Sequence, residues 1–425
     1  MTTAITVALL VILLVIGLPV AFALLLSAAV GLFLIGGPGL VLGILQTTPS
    51  TAVSSYELIT IPMFILMAEF MIVSRVADEM FELIGRWVRR LPGGLAIATA
   101  ISGAAFGAVS GSSTAAAATL SASSVPTMIK HGYDPRFASG VVAISGTLAM
   151  LIPPSIALIL YGLLSGESIA VLLIAGIVPG LMVLAVIILT VFTLIWIRPS
   201  WAPRMDDEFS KESHSVAALL FLLLFLIVTG AIYLGVATPT EASAIGAFGA
   251  LLIAVGRGTT NLGMLRQAVY RALRTTAMIG AIIIGAQVFG YFLTITQIPN
   301  LIISHIGDMD VPSWVILIGI ICIYLVLGMF LDQIAILILT VPIMLPLIVH
   351  LGYDPVWFGV LIVVLAEIGL VTPPVGINAF VVSRYTGVPL EDVFIGVIPH
   401  ILAHFVVIIL LVLFPALVLW LPNTM

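Results

Sequence analysis

Seventy-four residues pass before the chain carries its first basic side chain, Arg75. The stretch from Ala4 to Ile35 is uncharged and apolar, longer than the ~20 residues that cross a bilayer as a helix. It lacks the positive leader of a signal peptide. The expectation is a retained first span, distorted at Gly17-Leu18-Pro19. Comparable runs recur at 58–74, 137–161, 169–197, 215–234, 239–256, 275–296, 357–383 and 394–420. Only 8% of residues are charged, against about 25% in soluble domains, so the chain cannot cover itself with a water-facing surface. Lipid must cover it, and in lipid the backbone has to satisfy its own hydrogen bonds, which runs of this length do as helices. The fold class is therefore an all-α polytopic membrane protein. No basic face exists for nucleic acid. The single cysteine, Cys322, excludes an intrachain disulfide and a cysteine metal cluster.

The basic residues fix the orientation. Arg75, Arg86, Arg89 and Arg90 fall between 74 and 92, and Lys130 and Arg136 precede the 137–161 run. Arg198, Arg204 and Lys211 occupy 198–214; Arg257, Arg266, Arg271 and Arg274 occupy 257–274; Arg384 follows 383. Alternating sides along the span order puts all fourteen on one face, which is cytoplasmic because positive loops stay inside. This order places the N-terminus inside and the C-terminus outside. Residues 76, 80, 83, 84 and 87 form one apolar helical stripe, which fits a helix lying on the inner leaflet, and 257–274 reads similarly.

Two segments do not read as simple spans. Residues 93–129 are rich in Gly, Ala, Ser and Thr around Val109-Ser110-Gly111-Ser112-Ser113-Thr114-Ala115. A break there leaves arms of roughly 15–18 residues, about 25 Å each, short of a ~30 Å hydrocarbon core. A re-entrant hairpin fits, with small residues letting its arms pack closely. The second such segment, 314–349, breaks near Phe330-Leu331-Asp332-Gln333.

A shift of 220 residues superimposes the two halves. Gly132-Tyr133-Asp134-Pro135 meets Gly352-Tyr353-Asp354-Pro355, and Pro153-Pro154 meets Pro373-Pro374. Pro126, Gly176 and Pro179 meet Pro346, Gly396 and Pro399, and Ser112 falls on Asp332. The first repeat is 1–214 (hairpin 93–129, broken helix 137–161); 215–425 holds a linking span, 215–234, read as unpaired, and the second repeat (hairpin 314–349, broken helix 357–383). Four spans separate 137–161 from 357–383, so the repeats are inverted, the arrangement of secondary transporters with sites at broken helices.

The breaks supply candidate ligands. Leu151-Ile152-Pro153-Pro154-Ser155 and Thr372-Pro373-Pro374-Val375-Gly376-Ile377-Asn378 each interrupt an apolar run. A proline removes a donor and clashes with the preceding turn, so two in succession free carbonyls inside the membrane. A cation such as Na⁺ is a fitting partner for them. Ser112, Ser113, Thr114, Ser155, Thr372 and Asn378 offer hydroxyl and amide oxygens, and Asp332 a carboxylate at the second tip. The reading is two Na⁺ sites. One lies between the tip Gly111–Thr114 and the break Ile152–Ser155. The other lies between the tip near Asp332 and the break Thr372–Asn378. Asp332 reads either as an ion or substrate ligand or as a hairpin cap. Glu69 and Glu367, inside spans, read either as functional carboxylates or as helix-to-helix ties.

These motifs resemble the large membrane subunit of tripartite ATP-independent periplasmic (TRAP) transporters, the DctM-like family. The resemblance runs over essentially the whole chain. Its marks are Gly111-Ser112-Ser113-Thr114-Ala115, Ile152-Pro153-Pro154-Ser155, Ile177-Val178-Pro179-Gly180, Phe330-Leu331-Asp332, Glu367-Ile368-Gly369 with the second Pro-Pro break, and Glu391-Asp392. It implies an elevator-type fold, Na⁺-coupled import of a carboxylated organic solute, and a bacterial inner membrane. It implies two partners, a small four-helix membrane subunit and a periplasmic substrate-binding protein. The chain begins with its first large-subunit span, so the small subunit is expected as a separate polypeptide.

The competing reading is a stand-alone ion-coupled organic anion transporter of related architecture, needing no binding protein. An enzyme is not expected. No His-Glu-x-x-His motif occurs, and His131, His214, His305, His350, His400 and His404 mostly lie at loops or span ends.

Overall fold

The stretch 4–35, expected as one span, is two helices. In the computed structural model, which describes residues 2–88, 90–203, 215–258, 260–307 and 311–425, α1 (Thr2–Val15) ends before Gly17 and α2 (Val20–Val53) begins after Pro19. Arg89, Arg204, Lys211 and His214 lie outside the described residues. Gly17 turns the chain at φ 86°, a region open to glycine, and Pro19 sits extended ahead of α2. The turn folds α1 back along α2. A Cβ on Gly31 would stand 2.5 Å from Thr6 Oγ1, and these residues are about equally far from the turn, so the pair is antiparallel. Within α2 the helix breaks at Gly37 (φ 68°) before Pro38.

The chain continues through α3 (Thr60–Val73) and α4 (Val76–Val88) to a helical hairpin, α5 (Gly94–Ser110) and α6 (Ser113–Lys130), with two residues at its tip. Next come α7 (Pro135–Ser145), a tight turn over Gly146–Met150, the non-helical Leu151–Ser155, and α8 (Ile156–Ser165). Two helices kinked at Gly176 follow, α9 (Ile169–Ala175) and α10 (Ile177–Ile197), then α11 (Ser215–Tyr233) and α12 (Pro239–Gly256). The remainder is α13 (Leu262–Ile295), α14 (Ile298–Gly307), a second hairpin of α15 (Ser313–Phe330) and α16 (Gln333–His350), α17 (Pro355–Gly369), α18 (Ile377–Thr386), α19 (Leu390–Leu413) and the single turn α20 (Ala416–Leu419). Among the described residues, eight helical stretches are long and apolar enough to cross a membrane.

The 220-residue shift carries α5 and α6 onto 314–330 and 333–350, the positions of α15 and α16 to within one residue. The two Gly-Tyr-Asp-Pro turns repeat in detail. Gly132 and Gly352 take φ 81° and 84°, and the following aspartates cap α7 and α17. Asp134 accepts the Arg136 N–H at 2.8 Å and Asp354 the Trp357 N–H at 2.9 Å. The 215–234 span is not unpaired. The shift moves α1 onto 222–235, overlapping α11, and α1 packs on α2 as α11 packs on α12.

A second correction concerns 257–274, expected as a separate interfacial helix. Leu262–Ile295 is one helix of 34 residues, about 51 Å long. No proline interrupts it, so the turns bearing Arg266, Arg271 and Arg274 continue the span beyond a ~30 Å core.

Two sets of contacts organise the molecule. In one, α2 packs on α13 and α3 on α12. Thr60 and Thr240 share a 2.8 Å hydroxyl contact there, Arg271 binds Glu69 at 2.7 Å, and Arg257 binds Glu79. In the other, the hairpins pack on the broken helices, and α19 on α7. Small residues set these crossings, as expected where helices gain by close approach. A Cβ on Gly396 would stand 1.9 Å from the Arg136 carbonyl oxygen, and one on Gly369 2.3 Å from Gly328 Cα. Arg136 Nε meets Asp392 Oδ1 at 2.7 Å at the α7–α19 crossing.

Gly396→Val should therefore force α7 and α19 apart and destabilise the purified protein by about 1–3 kcal/mol, read as a lower thermal midpoint in detergent. Gly280→Ala, where an added Cβ meets nothing within 4 Å, should leave the midpoint unchanged or slightly raised. Equal midpoints for the two variants would contradict the packing described.

Candidate functional site

The first tip is built by Gly111 and Ser112. Gly111 ends α5 at φ 56°, and Ser112 turns extended to cap α6, its Oγ accepting the Ala115 N–H at 3.4 Å. Thr114 Oγ1 lies 3.4 Å from Ser112 Oγ. The tip rests on the first break, since a Cβ on Gly111 would stand 3.0 Å from the Pro154 carbonyl oxygen. Side-chain bulk at 111 would thus press into the freed backbone of Leu151–Ser155. Ser155 is fully buried and caps α8, accepting the Leu158 N–H at 3.2 Å and donating to the Met150 carbonyl.

Asn378 joins this group rather than the second one. It is fully buried on the first turn of α18, and its Nδ2 donates to Ser113 Oγ at 2.5 Å across 265 positions of sequence. Its Oδ1 has no partner among the described residues. The grouping of Asn378 with the tip near Asp332, expected from position alone, gives way to a contact with the other repeat. The reason lies in the packing, which sets α18 against α6 and, correspondingly, α8 against α16. The first tip thereby touches the first break through Gly111 and Pro154 and the start of α18 through Ser113 and Asn378.

The second group is more open. Asp332 stands at the head of α16 with extended backbone and an exposed side chain. The break over Leu370–Gly376 leaves Pro373 and Pro374 exposed, while Gly376 (φ 54°) is buried. Thr372 Oγ1 donates to the Ile368 carbonyl at 2.6 Å, and the Asn378 N–H bridges back to the Leu370 carbonyl at 3.0 Å. Both Pro-Pro bonds, 153–154 and 373–374, are cis. Glycines 328 and 369 bring α15 and α17 together shortly before tip and break.

Several buried polar groups were missed in the sequence. Gln333, beside Asp332, is buried with neither end of its amide partnered. Its counterpart under the shift is Ser113, which could have drawn attention to it. His400 and His404 are not at a span end. Both are fully buried on α19, with His404 Nδ1 on the His400 carbonyl at 2.8 Å and the other three ring nitrogens unpartnered. Their four-residue spacing along an apolar helix was the available signal. Of the two carboxylates left open, Glu69 ties α3 to α13 through Arg271, whereas Glu367 is fully buried with both oxygens unpartnered among the described residues.

Known proteins share this pattern. The family described as "Tripartite ATP-independent periplasmic transporter, DctM component" matches residues 7–417. The C4-dicarboxylate TRAP transporter large permease protein DctM of Pseudomonas aeruginosa is 36% identical over 371 residues, covering 87% of this chain and 86% of that protein. The ectoine TRAP transporter large permease protein TeaC of Halomonas elongata is 33% identical, covering 99% of each. Among solved structures, the YdaH transporter of Alcanivorax borkumensis aligns with a TM-score of 0.66 at 14% identity, over 90% of this chain and 89% of that one, a likeness of fold. The helix order and the matched length together show that this chain belongs to the DctM family, the large membrane permease subunits of TRAP secondary transporters.

Proposed function

We propose that the chain is the translocating subunit of a Na⁺-coupled TRAP importer for a carboxylated organic solute, set in a bacterial inner membrane. A small four-helix membrane subunit and a periplasmic substrate-binding protein complete the system. The relatives are named for solutes as different as C4-dicarboxylates and ectoine, which supports a shared translocating frame with the solute chosen by another component. The isethionate relative of Oleidesulfovibrio alaskensis, named DctMQ, has this chain covering 64% of its length.

The observation that carries the Na⁺ reading is the meeting of the first tip, the first break and Asn378. An amide oxygen buried without a donor costs several kcal/mol in an apolar surrounding, and a hard cation shared with hydroxyl and carbonyl oxygens removes that cost. The first site comprises Gly111, Ser112, Ser113 and Thr114, with Pro153, Pro154 and Ser155, and Asn378 from the opposite repeat. The second comprises Asp332 with Thr372, Pro373, Pro374 and Gly376, and adds Gln333. In the elevator reading the two hairpins and two broken helices move together, and the Ser113–Asn378 bond supports this by joining the repeats within the moving group.

The orientation is revised. We take α1, folded back on α2, as one more crossing ahead of Arg75, and with it the positive-inside rule supports an N-terminus on the periplasmic side together with the C-terminus. In a Cys322→Ala background, Thr3→Cys should label from the periplasm and Lys211→Cys only from the cytoplasm. Labelling of Thr3→Cys only from the cytoplasm would restore the single first span.

Ser113→Ala and Asn378→Ala each remove one ligand oxygen. Each should weaken Na⁺ by about 1–3 kcal/mol, raising the Na⁺ concentration for half-maximal thermal stabilisation about 5- to 150-fold while the midpoint in K⁺ changes little. Asp332→Asn separates charge from capping at the second site, since Asn still caps a helix. Unchanged Na⁺ dependence in all three variants would leave the breaks as hinges only.

A further inference from the structure

Glu367 and the two histidines of α19 belong to one layer of the fold. Trp357 Nε1 donates to the Leu411 carbonyl at 2.8 Å, joining the start of α17 to the end of α19. Two packed helices that meet start to end run antiparallel. On α17, Trp357, Val360, Val364 and Glu367 recur at three and four residues and so share one face. On α19, His400, His404, Val407 and Leu411 do the same. All eight side chains are buried. Counted from the Trp357–Leu411 bond, Glu367 lies about 15 Å along its helix, His404 about 10 Å and His400 about 16 Å. The carboxyl and the rings therefore stand at similar depth, near the middle of a ~30 Å core.

The polar atoms of this layer are largely unmatched. Both oxygens of Glu367, both ring nitrogens of His400 and Nε2 of His404 have no partner among the described residues. His404 Nδ1 lies 2.8 Å from the His400 carbonyl. A carbonyl only accepts, so Nδ1 carries the hydrogen of the neutral ring and Nε2 is a bare acceptor.

No buried cation accompanies them among the described residues. Of the titratable groups on the helices packed against α17 and α19, Tyr161 and Tyr324 are committed, donating to the Pro355 carbonyl and to Thr340. Arg136 of α7 is bound to Asp392, eight residues ahead of His400, and Asp354 caps α17. His350, Arg384, Tyr385, Glu391 and Cys322 are exposed. An ionised Glu367 would have neither donor nor counter-ion, so the site tolerates it as the neutral acid. Glu and His side chains inside membrane helices are the material of proton relays.

We propose that the layer between α17 and α19 is a proton-binding site, in which Glu367 holds the proton and His400 and His404 accept it. The transfer, direct or through one water, breaks the Glu367 O–H bond and forms an N–H bond on one of the rings. It turns two neutral groups into an ion pair and leaves the net charge of the layer unchanged. The site requires no Na⁺, so its test stands apart from the Na⁺ reading.

Infrared spectroscopy of the purified full chain, at neutral pH and without Na⁺, tests the site. A protonated carboxyl should give a carbonyl stretch above the amide band that moves to its deuterated position in D₂O. Supplying glutamate with a ¹³C side-chain carboxyl should move the band again, which assigns it to glutamate even if a substituted chain fails to fold. Glu367→Gln should abolish the band, and Asp332→Asn should leave it in place. His400→Phe/His404→Phe removes the acceptors and should shift the band to higher wavenumber; either single variant serves the same comparison. Absence of the band in the unsubstituted chain would show an ionised Glu367 and overturn the proposal. A band that keeps its proton in D₂O, or stays unshifted in the histidine variants, would mark a sealed structural acid and overturn it as well.

Discussion

A peptide group without a hydrogen-bond partner costs several kcal/mol in hydrocarbon, and this chain interrupts its helices in apolar segments at two hairpin tips and two Pro-Pro breaks. Much of the remaining design follows from containing that cost. The first tip lies against the first break, so the two irregular pieces shield each other from lipid. Caps absorb part of the load, with Ser112 and Ser155 accepting from the first turns of α6 and α8. Asn378, bonded to Ser113, keeps an amide oxygen with no donor among the described residues. The cation site proposed above would follow from breaking the helices there.

Close approach makes the shielding possible. Glycines 140 and 396 let α7 and α19 touch backbone to backbone, and glycines 328 and 369 do the same for α15 and α17. Larger side chains at these crossings would separate the hairpins from the breaks they cover. The group of α2, α3, α12 and α13 is held differently, with Glu69–Arg271 tying α3 to α13 and Glu79–Arg257 tying α4 to the end of α12. A cavity of about 890 Å³ lies between these two kinds of packing, lined from α2, α12 and α13 on one side and α8, α9 and α16 on the other.

Much of this was legible in the sequence because membrane folding leaves few choices. Scarce charge forced helices, and the shift of 220 residues placed both tips and both breaks within a residue or two of where they lie. Proline and glycine carry local, almost context-free instructions, so Gly132-Tyr133-Asp134-Pro135 could be read as a turn and cap without knowing its neighbours. The first run was misread because an unbroken stretch of apolar residues does not distinguish one long helix from two short antiparallel ones. Only Gly17 and Pro19 held that information. Asn378 was misassigned for a different reason. Sequence position relates a residue to its own repeat, whereas contact across repeats depends on how α18 packs on α6. The burial of Gln333, His400 and His404 is likewise a property of packing.

The central claim is that the two repeats share one cation site, with Ser113 from the first and Asn378 from the second. A double-mutant cycle in Na⁺ affinity tests it directly, comparing Ser113→Ala, Asn378→Ala and the double variant. Residues that act on one bound ion couple strongly, so the double variant should bind Na⁺ little more weakly than the weaker single variant, with a coupling energy above about 1 kcal/mol. Losses that simply add, within about 0.5 kcal/mol, would show that the two residues act on Na⁺ independently and would contradict a shared site.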